Sequence, residues 1–274
     1  MSYTALLEEL NLLEAVLNRP AIQSVIGQRL IRRVKQDLIF YFRQLAERVE
    51  VLGLDTFASS FVGDPQAAAQ VASSMLESEI EKLSLLLHVL LSRNLESAFN
   101  FGTDEADELI KRFVTEAIGD IPTPPVVGER PGPGDPRAAA FAEETAARLV
   151  TGINEETRRR LAALVGRGIR DKLGVPGLGR AIRHDLLQMT RFRSELIANT
   201  EMNNAVSNAS FNRFKQQAVQ FKTTGLGPNP CPICIANHAQ GAIPINDEFQ
   251  SGHQHPTFHP GCKDGLLPAR APAV

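Results

Sequence analysis

The chain has 274 residues, 43% apolar and 22% charged, with a formal net charge of −2; that suits a globular protein of one large domain or two modest ones. Trp is absent and Tyr occurs twice, which leaves few stacking platforms for nucleic acid. The most apolar run, LSLLLHVLL at 83–91, is too short to cross a bilayer, and acids stand at the N-terminus where a secretory signal carries positive charge, so no membrane anchor or export is expected. Charge is unevenly spread: residues 1–120 carry 11 basic and 18 acidic side chains, residues 121–274 carry 18 and 13. Two parts with different roles are therefore expected.

Leu6, Leu7, Leu10, Leu13 and Leu17 follow the spacing of an amphipathic helix that ends at Asn18-Arg19-Pro20. A second helix is predicted from about Ile22 to Val51, with Ile31, Val34, Leu38, Phe42, Leu45 and Val49 on one face, stopped by Gly53. Asp64-Pro65 starts a third, to about Phe99. Leu83, Leu86, Leu87, Leu90, Leu91 and Leu95 give it a wide apolar surface, and His88 within it reads as a core or boundary residue. A fourth helix is expected over about Thr103–Ala117, with Thr103 as N-cap and Asp104, Glu105 and Asp107 in its positive first turn.

Residues 119–136, GDIPTPPVVGERPGPGDP, hold six prolines and four glycines and read as a stiff, exposed linker. It separates an N-terminal helical domain, 1–118, from a basic helical domain, 137–222. In the latter, helices are expected at Arg137–Thr151, Glu155–Leu173 and, after a break at GVPGLGRAIRHDL, about Leu187–Lys222. Ten basic residues and only two acids lie between Arg158 and Arg193. Arg158, Arg159, Arg160, Arg167, Arg170, Lys172, Arg180 and Arg183 are the candidates for contact with DNA or an acidic partner; a solvated helix face is the plainer alternative. The adjacent pairs Glu143-Glu144 and Glu155-Glu156 read as surface charge. Only short strands are expected, from Thr223 on.

The third region, 223–274, holds all three cysteines and four of the six histidines. Cys231-Pro-Ile-Cys234 offers two thiolates at the spacing of a tight turn, and His259-Pro-Gly-Cys262 a second close pair, with Gly261 allowing the turn. Together they complete a Cys3His set for a structural Zn2+ with no open position. His253 or His255 can replace His259, with His255 the reserve ligand; His238 reads as a loop residue. About forty Gly- and Pro-rich residues with few large apolar side chains rarely hold a fold unaided, and a structural zinc contributes on the order of 10 kcal/mol. A redox role is disfavoured because the Cys-x-x-Cys pair is not expected to open a helix after a strand.

Enzyme readings are thin. Pro230-Cys231-Pro-Ile-Cys234 matches half of the zinc deaminase signature, but no upstream His-x-Glu accompanies it. P-loop, Rossmann and Gly-x-Ser-x-Gly patterns are missing. A nuclease of the His–Asn–His type, built on Asn237, His238, His253 and His255, is the alternative to a non-enzymatic protein.

The order of these features resembles the head morphogenesis (minor capsid) family of tailed bacteriophages, the family of the Mu F protein. The resemblance covers about residues 155–268. It rests on Ile197-Ala198-Asn199-Thr200-Glu201 with Asn203, Asn204, Ala205 and Asn208, then Cys231-Pro-Ile-Cys234, Gly241, Asp247-Glu248-Phe249, Pro256-Thr-Phe-His259-Pro-Gly-Cys262 and Leu267-Pro268. The family's arginine in Arg-Thr-Glu is Asn199 here, and its Cys-Arg-Cys ending is Cys262-Lys263-Asp264. If that last cysteine is a ligand in relatives, Asp264 is a poorer one and His255 or His259 completes the set. The resemblance implies a non-enzymatic minor head protein of the virion, present in host cytoplasm during assembly. Its expected partners are the portal protein, with major capsid or scaffold protein and DNA as further candidates. Since the chain stops at Val274, an appended enzymatic domain is not expected. The fold expected is mainly α: an extended bundle of long helices with a small zinc-stapled C-terminal module of short β-strands.

Overall fold

In the computed structural model, the structure describes residues 20–51, 65–118, 135–170 and 175–271. The amphipathic segment 6–17, residues 119–134 of the linker, and Lys172 lie outside the described residues. The protein is mainly helical. A 3-10 turn, Ala21–Gln23, precedes four long helices: α1 (Val25–Val51), α2 (Pro65–Ile118), α3 (Pro136–Arg170) and α4 (Val175–Gln216). A small region follows, with β1 (Phe221–Gly225), the short helix α5 (Pro232–Ala239), β2 (Ile243–Pro244) and β3 (Gly265–Ala269). The sheet is antiparallel in the order β2-β1-β3. Its longer pairing runs from Phe221 opposite Ala269 to Gly225 opposite Gly265.

Several predicted helix boundaries are corrected. The third and fourth helices are one element, α2, and no break occurs at Gly102-Thr103. Thr103 is no N-cap: its Oγ1 donates to the Phe99 carbonyl at 3.2 Å, an interior i−4 bond that satisfies the hydroxyl within the helix. Gly102 is there for close approach. A Cβ on it would stand 2.5 Å from the Val206 carbonyl oxygen of α4, and Ser210 Oγ donates to the Gly102 carbonyl at 3.2 Å. The two predicted helices after the linker are likewise one, α3. Asp135 caps it, accepting from the Arg137 N–H at 2.8 Å, with Pro136 in the first turn. The last long helix begins at Val175 and ends at Gln216, so Lys222 belongs to β1.

The residues form two compact units, each built from non-consecutive stretches. One consists of Arg33–Asn94 and Ala140–Glu195. Its interior follows helical periodicity: Val34, Leu38, Phe42 and Leu45 from α1, Ile80, Leu83, Leu87 and Leu91 from α2, Ala142, Ala146, Val150 and Ile153 from α3, and Ile182 and Leu186 from α4 are all buried. Polar cross-links run through it. Tyr41 Oη donates to Asn154 Oδ1 at 2.9 Å, and Asn154 Nδ2 donates to Ser84 Oγ at 2.7 Å. His88, predicted at the core or its boundary, is half-buried, 3.6 Å from Glu143.

The described residues of the other unit are 20–32, 95–118, 135–139 and 196–271. Here α2 and α4 are joined by a fully buried ion pair. Arg213 Nε donates to Asp107 Oδ1 at 2.6 Å and Nη2 to Oδ2 at 3.2 Å, with both side chains about 1–2% exposed. Asp107, expected in the first turn of a helix starting at Thr103, is therefore an interior partner of Arg213. Ala106, Ile110 and Phe214 pack with Val219, Cys234, Phe249, Phe258, Cys262 and Leu266 into one apolar cluster. The cysteine region thus grows directly from the helical core of this unit.

Candidate metal centre

The local fold explains how distant ligands meet. Cys231 is the N-cap of α5, in extended conformation, and Pro232 occupies the first helical turn. One turn later Cys234 faces the apolar cluster and is buried. The Cys-x-x-Cys pair therefore does open a helix after strand β1, contrary to expectation. His238, expected in a loop, lies on α5 and directs Nδ1 to the Thr224 carbonyl at 2.6 Å. On the far side, Gly261 at φ +77° makes the turn between His259 and Cys262.

Cys231, Cys234, His259, Cys262 and Asp264 cluster in a way that could hold a metal ion. Their donor atoms form two sets, Cys231/Cys234/His259 and Cys234/Cys262/Asp264, which share Cys234, and within each set all donor atoms lie within 4.8 Å of one another. Four of the spacings suit a small tetrahedral cation, although Cys231, Cys234, His259 and Cys262 do not all stand within 4.8 Å of one another. Metal–sulfur distances of about 2.3 Å imply sulfurs about 3.8 Å apart, and an imidazole nitrogen at about 2.0 Å implies a sulfur–nitrogen gap of about 3.5 Å. The Cys231–Cys234 and Cys234–Cys262 sulfurs are 3.7 and 3.9 Å apart, and His259 Nε2 is 3.3 and 3.2 Å from the sulfurs of Cys231 and Cys234. His259 Nδ1 faces the Pro260 carbonyl at 2.9 Å. A proton held there on Nδ1 leaves the Nε2 lone pair for a metal, a common arrangement of metal-binding histidines.

The electrostatics divide the thiols. Burial pushes the Cys234 thiol well above the ordinary cysteine range, with Asp264 adding to the shift, and burial also raises the Cys262 thiol. Cys231 is shifted down, chiefly because the Cys234 backbone N–H donates to its sulfur. A divalent cation among these groups favours their thiolate forms and releases protons on binding.

Helix α4 grips the same turn. Thr200 Oγ1 accepts the Gly261 N–H at 2.8 Å. Asn203, itself buried, donates through Nδ2 to the carbonyls of Cys262 at 3.0 Å and Asp264 at 2.9 Å. These two clasps were not read from the sequence. Polar residues on a helix, some sixty positions upstream, carry no local sign of what they hold.

The remaining histidines are placed elsewhere. His255, the reserve ligand, directs Nδ1 to the Pro256 carbonyl at 2.5 Å, accepts from Asn208 Nδ2 at 3.4 Å, and stands 5.7 Å from the Phe211 ring. Burial lowers its pKa. His253 is exposed beside Ser251, with Nδ1 2.9 Å from that residue's carbonyl. Asn237 is buried and bonded to Ser251. Of the four residues of the nuclease alternative, Asn237 and His253 share Ser251 as a partner, while His238 and His255 face the Thr224 and Pro256 carbonyls.

Lys222 was not singled out by sequence. It is fully buried, donates to the Gln254 carbonyl at 2.7 Å and to its Oε1 at 3.1 Å, and lies 4.8 and 5.3 Å from the centres of the Phe211 and Phe249 rings. Burial pulls its pKa down to about 8.

The basic stripe is partly neutralised. Arg158 pairs with Glu77 at 3.4 Å, and Arg159 and Arg160 both pair with Glu156, at 2.7 and 2.6 Å. Arg167 and Arg180 are exposed and Arg183 is half-buried, while the Arg170 side chain lies outside the described residues. Among the described residues, no helix is long and apolar enough to cross a membrane.

No protein-family model matches this chain, and no curated protein or solved structure is similar enough to match it.

Proposed function

We propose that the C-terminal region is a structural zinc module and that the chain is a non-enzymatic minor head protein of a tailed phage or prophage. In this reading Cys231, Cys234, His259 and Cys262 hold the zinc. When bound, the ion supplies a cross-link between α5 and the 259–262 turn, beside the apolar packing of Cys234, Phe258 and Cys262. The protein works by associating with the portal protein during head assembly or DNA packaging and delivery, within the virion head.

One observation carries this reading. The two separate halves of the sequence resemblance, Ile197–Glu201 with Asn203 on α4 and the Cys/His segment beyond Lys222, form one physical unit. Thr200 and Asn203 hold the backbone of Gly261, Cys262 and Asp264. Residues spaced in that order have a structural reason to occur together.

The test is co-purification of the full chain with the portal protein of the same genome, together with metal analysis. Stoichiometric zinc and a portal complex are expected. Less than about half an equivalent of zinc would remove the staple, and a chain that never associates with portal would remove the head role. Binding that weakens steeply with salt points to DNA or an acidic protein face. A divalent-metal-dependent nicking activity, lost in His253→Ala or His255→Ala, would establish the nuclease reading instead.

A further inference from the structure

We propose that Cys231 and Cys234 are a thiol–disulfide exchange site: a small disulfide such as oxidised glutathione closes them into a disulfide, and closure empties the metal site. The loss of metal rests on the zinc reading above; the pairing stands on geometry alone.

Helix α5 is the first element after strand β1. Cys231 is its N-cap and Cys234 lies within its first turn. The two sulfurs stand 3.7 Å apart, and the Ile235 N–H donates to the Cys231 carbonyl at 3.0 Å. Both cysteines therefore sit in one hydrogen-bonded turn, and closing the gap to a bond of about 2.0 Å draws together side chains of that turn. Exposure sets the order of events. Cys231 is half-buried, whereas Cys234 and Cys262 are buried. A disulfide in solution thus meets Cys231 first.

The competing pair, Cys234 with Cys262, has a sulfur gap of 3.9 Å, but neither sulfur meets solvent. Cys262 also sits on a turn tied to α4. The Gly261 N–H donates to Thr200 Oγ1 at 2.8 Å, and Asn203 Nδ2 donates to the Cys262 carbonyl at 3.0 Å. Drawing Cys262 toward Cys234 works against both clasps.

The exchange takes two steps. The Cys231 sulfur attacks one sulfur of the small disulfide, whose S–S bond breaks and releases one thiolate. The Cys234 sulfur then attacks the Cys231 sulfur and releases the second thiolate. Two cysteine thiols are oxidised, one disulfide is reduced to two thiols, and the two cysteine protons end on those thiols. Closure removes two of the four proposed zinc ligands and leaves His259 and Cys262, too few to hold the ion. On the head-protein reading, the particle leaves a reducing cytoplasm for an oxidising exterior, the change that such a pair senses.

The test treats the full wild-type chain, as purified, with oxidised glutathione under native conditions. Differential alkylation, before and after reduction, identifies the paired cysteines, and an indicator dye follows released zinc. Cys231 and Cys234 should be labelled only after reduction and Cys262 before it, with about one zinc released per disulfide. Cys231→Ser should slow zinc loss by about tenfold or more. Three free thiols, a Cys234–Cys262 disulfide, or a mixed disulfide that stops at Cys231 would overturn the pairing. Zinc that stays bound after the pair closes would overturn the emptying of the site. A chain purified without zinc that still closes Cys231 on Cys234 would support the pairing and overturn the zinc reading. The wild-type measurement decides the question even if the variant fails to fold.

Discussion

The unit of Arg33–Asn94 and Ala140–Glu195 and the C-terminal module are held together by different means. In the first, long helices bury Leu, Ile, Val and Ala at regular spacing, and many equivalent contacts share the stabilisation. In the module, strands of five and two residues and a helix of eight surround a small apolar cluster that includes two cysteines. Single polar clasps do much of the fixing there: Asn203 on the Cys262 turn, Lys222 on Gln254, Asn237 on Ser251. Periodic burial is redundant, so one loss is tolerated. A single clasp has no understudy. Single substitutions should therefore separate the two regions sharply.

With the proposed zinc bound, the largest effect should come from its ligands. Cys234→Ser, or removal of zinc by a strong chelator, should cost the module most of a metal-linked term on the order of 10 kcal/mol. Amide hydrogen exchange will read it: β1, α5 and β3 should lose protection while Leu38–Leu45 of α1 and Ile80–Leu91 of α2 keep theirs. Equal loss in both regions would erase the contrast. Next comes the buried pair at the helical base of the module's unit. Arg213→Ala leaves the Asp107 carboxylate buried without its partner and should cost about 3–5 kcal/mol in denaturant unfolding. Replacing both by apolar residues of similar size, Asp107→Leu with Arg213→Met, should recover most of that loss.

The same contrast explains what was legible in the sequence. Helix type and the mainly α class follow from local periodicity, which Val34, Leu38, Phe42 and Leu45 display openly. The ligand cluster was legible because cysteine and histidine are few and their spacing is chemical. Helix ends were misread where a residue serves a distant contact. The predicted gap at 100–102 is where Gly102 admits the backbone of Val206, and the one at 152–154 holds Asn154, which bonds Tyr41 and Ser84 inside the helical unit. Asp107 reads as a first-turn acid, yet its partner Arg213 lies 106 positions away. Nothing within one helical turn of any of these residues encodes that partner.

In the helical unit, Leu87→Ala removes a fully buried side chain and should cost about 2–5 kcal/mol. Zinc affinity, followed by chelator competition, should stay unchanged. A fall in affinity of tenfold would show that the two regions share their stability, contrary to the comparison above.

The smallest effects are in pH, and each region has its own window. Glu79 in the helical unit is held below the ordinary carboxylate value, first by the hydrogen bond from Lys82 at 2.5 Å, then by that from Arg48 at 2.7 Å. Its stabilisation is present above the unfolded value of 4.5 and is lost as pH falls through the folded one. Lys222 in the module has its pKa pulled from 10.5 to about 8 by burial. Below about 8 both folded and unfolded chains carry that proton, and the cost of burying the charge is fully present. Between about 8 and 10.5 the unfolded chain binds more protons, so this group makes stability rise with pH. Unfolding of the zinc-loaded protein across both windows should show a slope reduced by Glu79→Gln in acid and by Lys222→Met in alkali. Exchange protection should assign the acid slope to α2 and the alkaline one to β1. If Lys222→Met leaves the alkaline slope intact, the buried amine is not its source, and the module's response to pH lies with its cysteines instead.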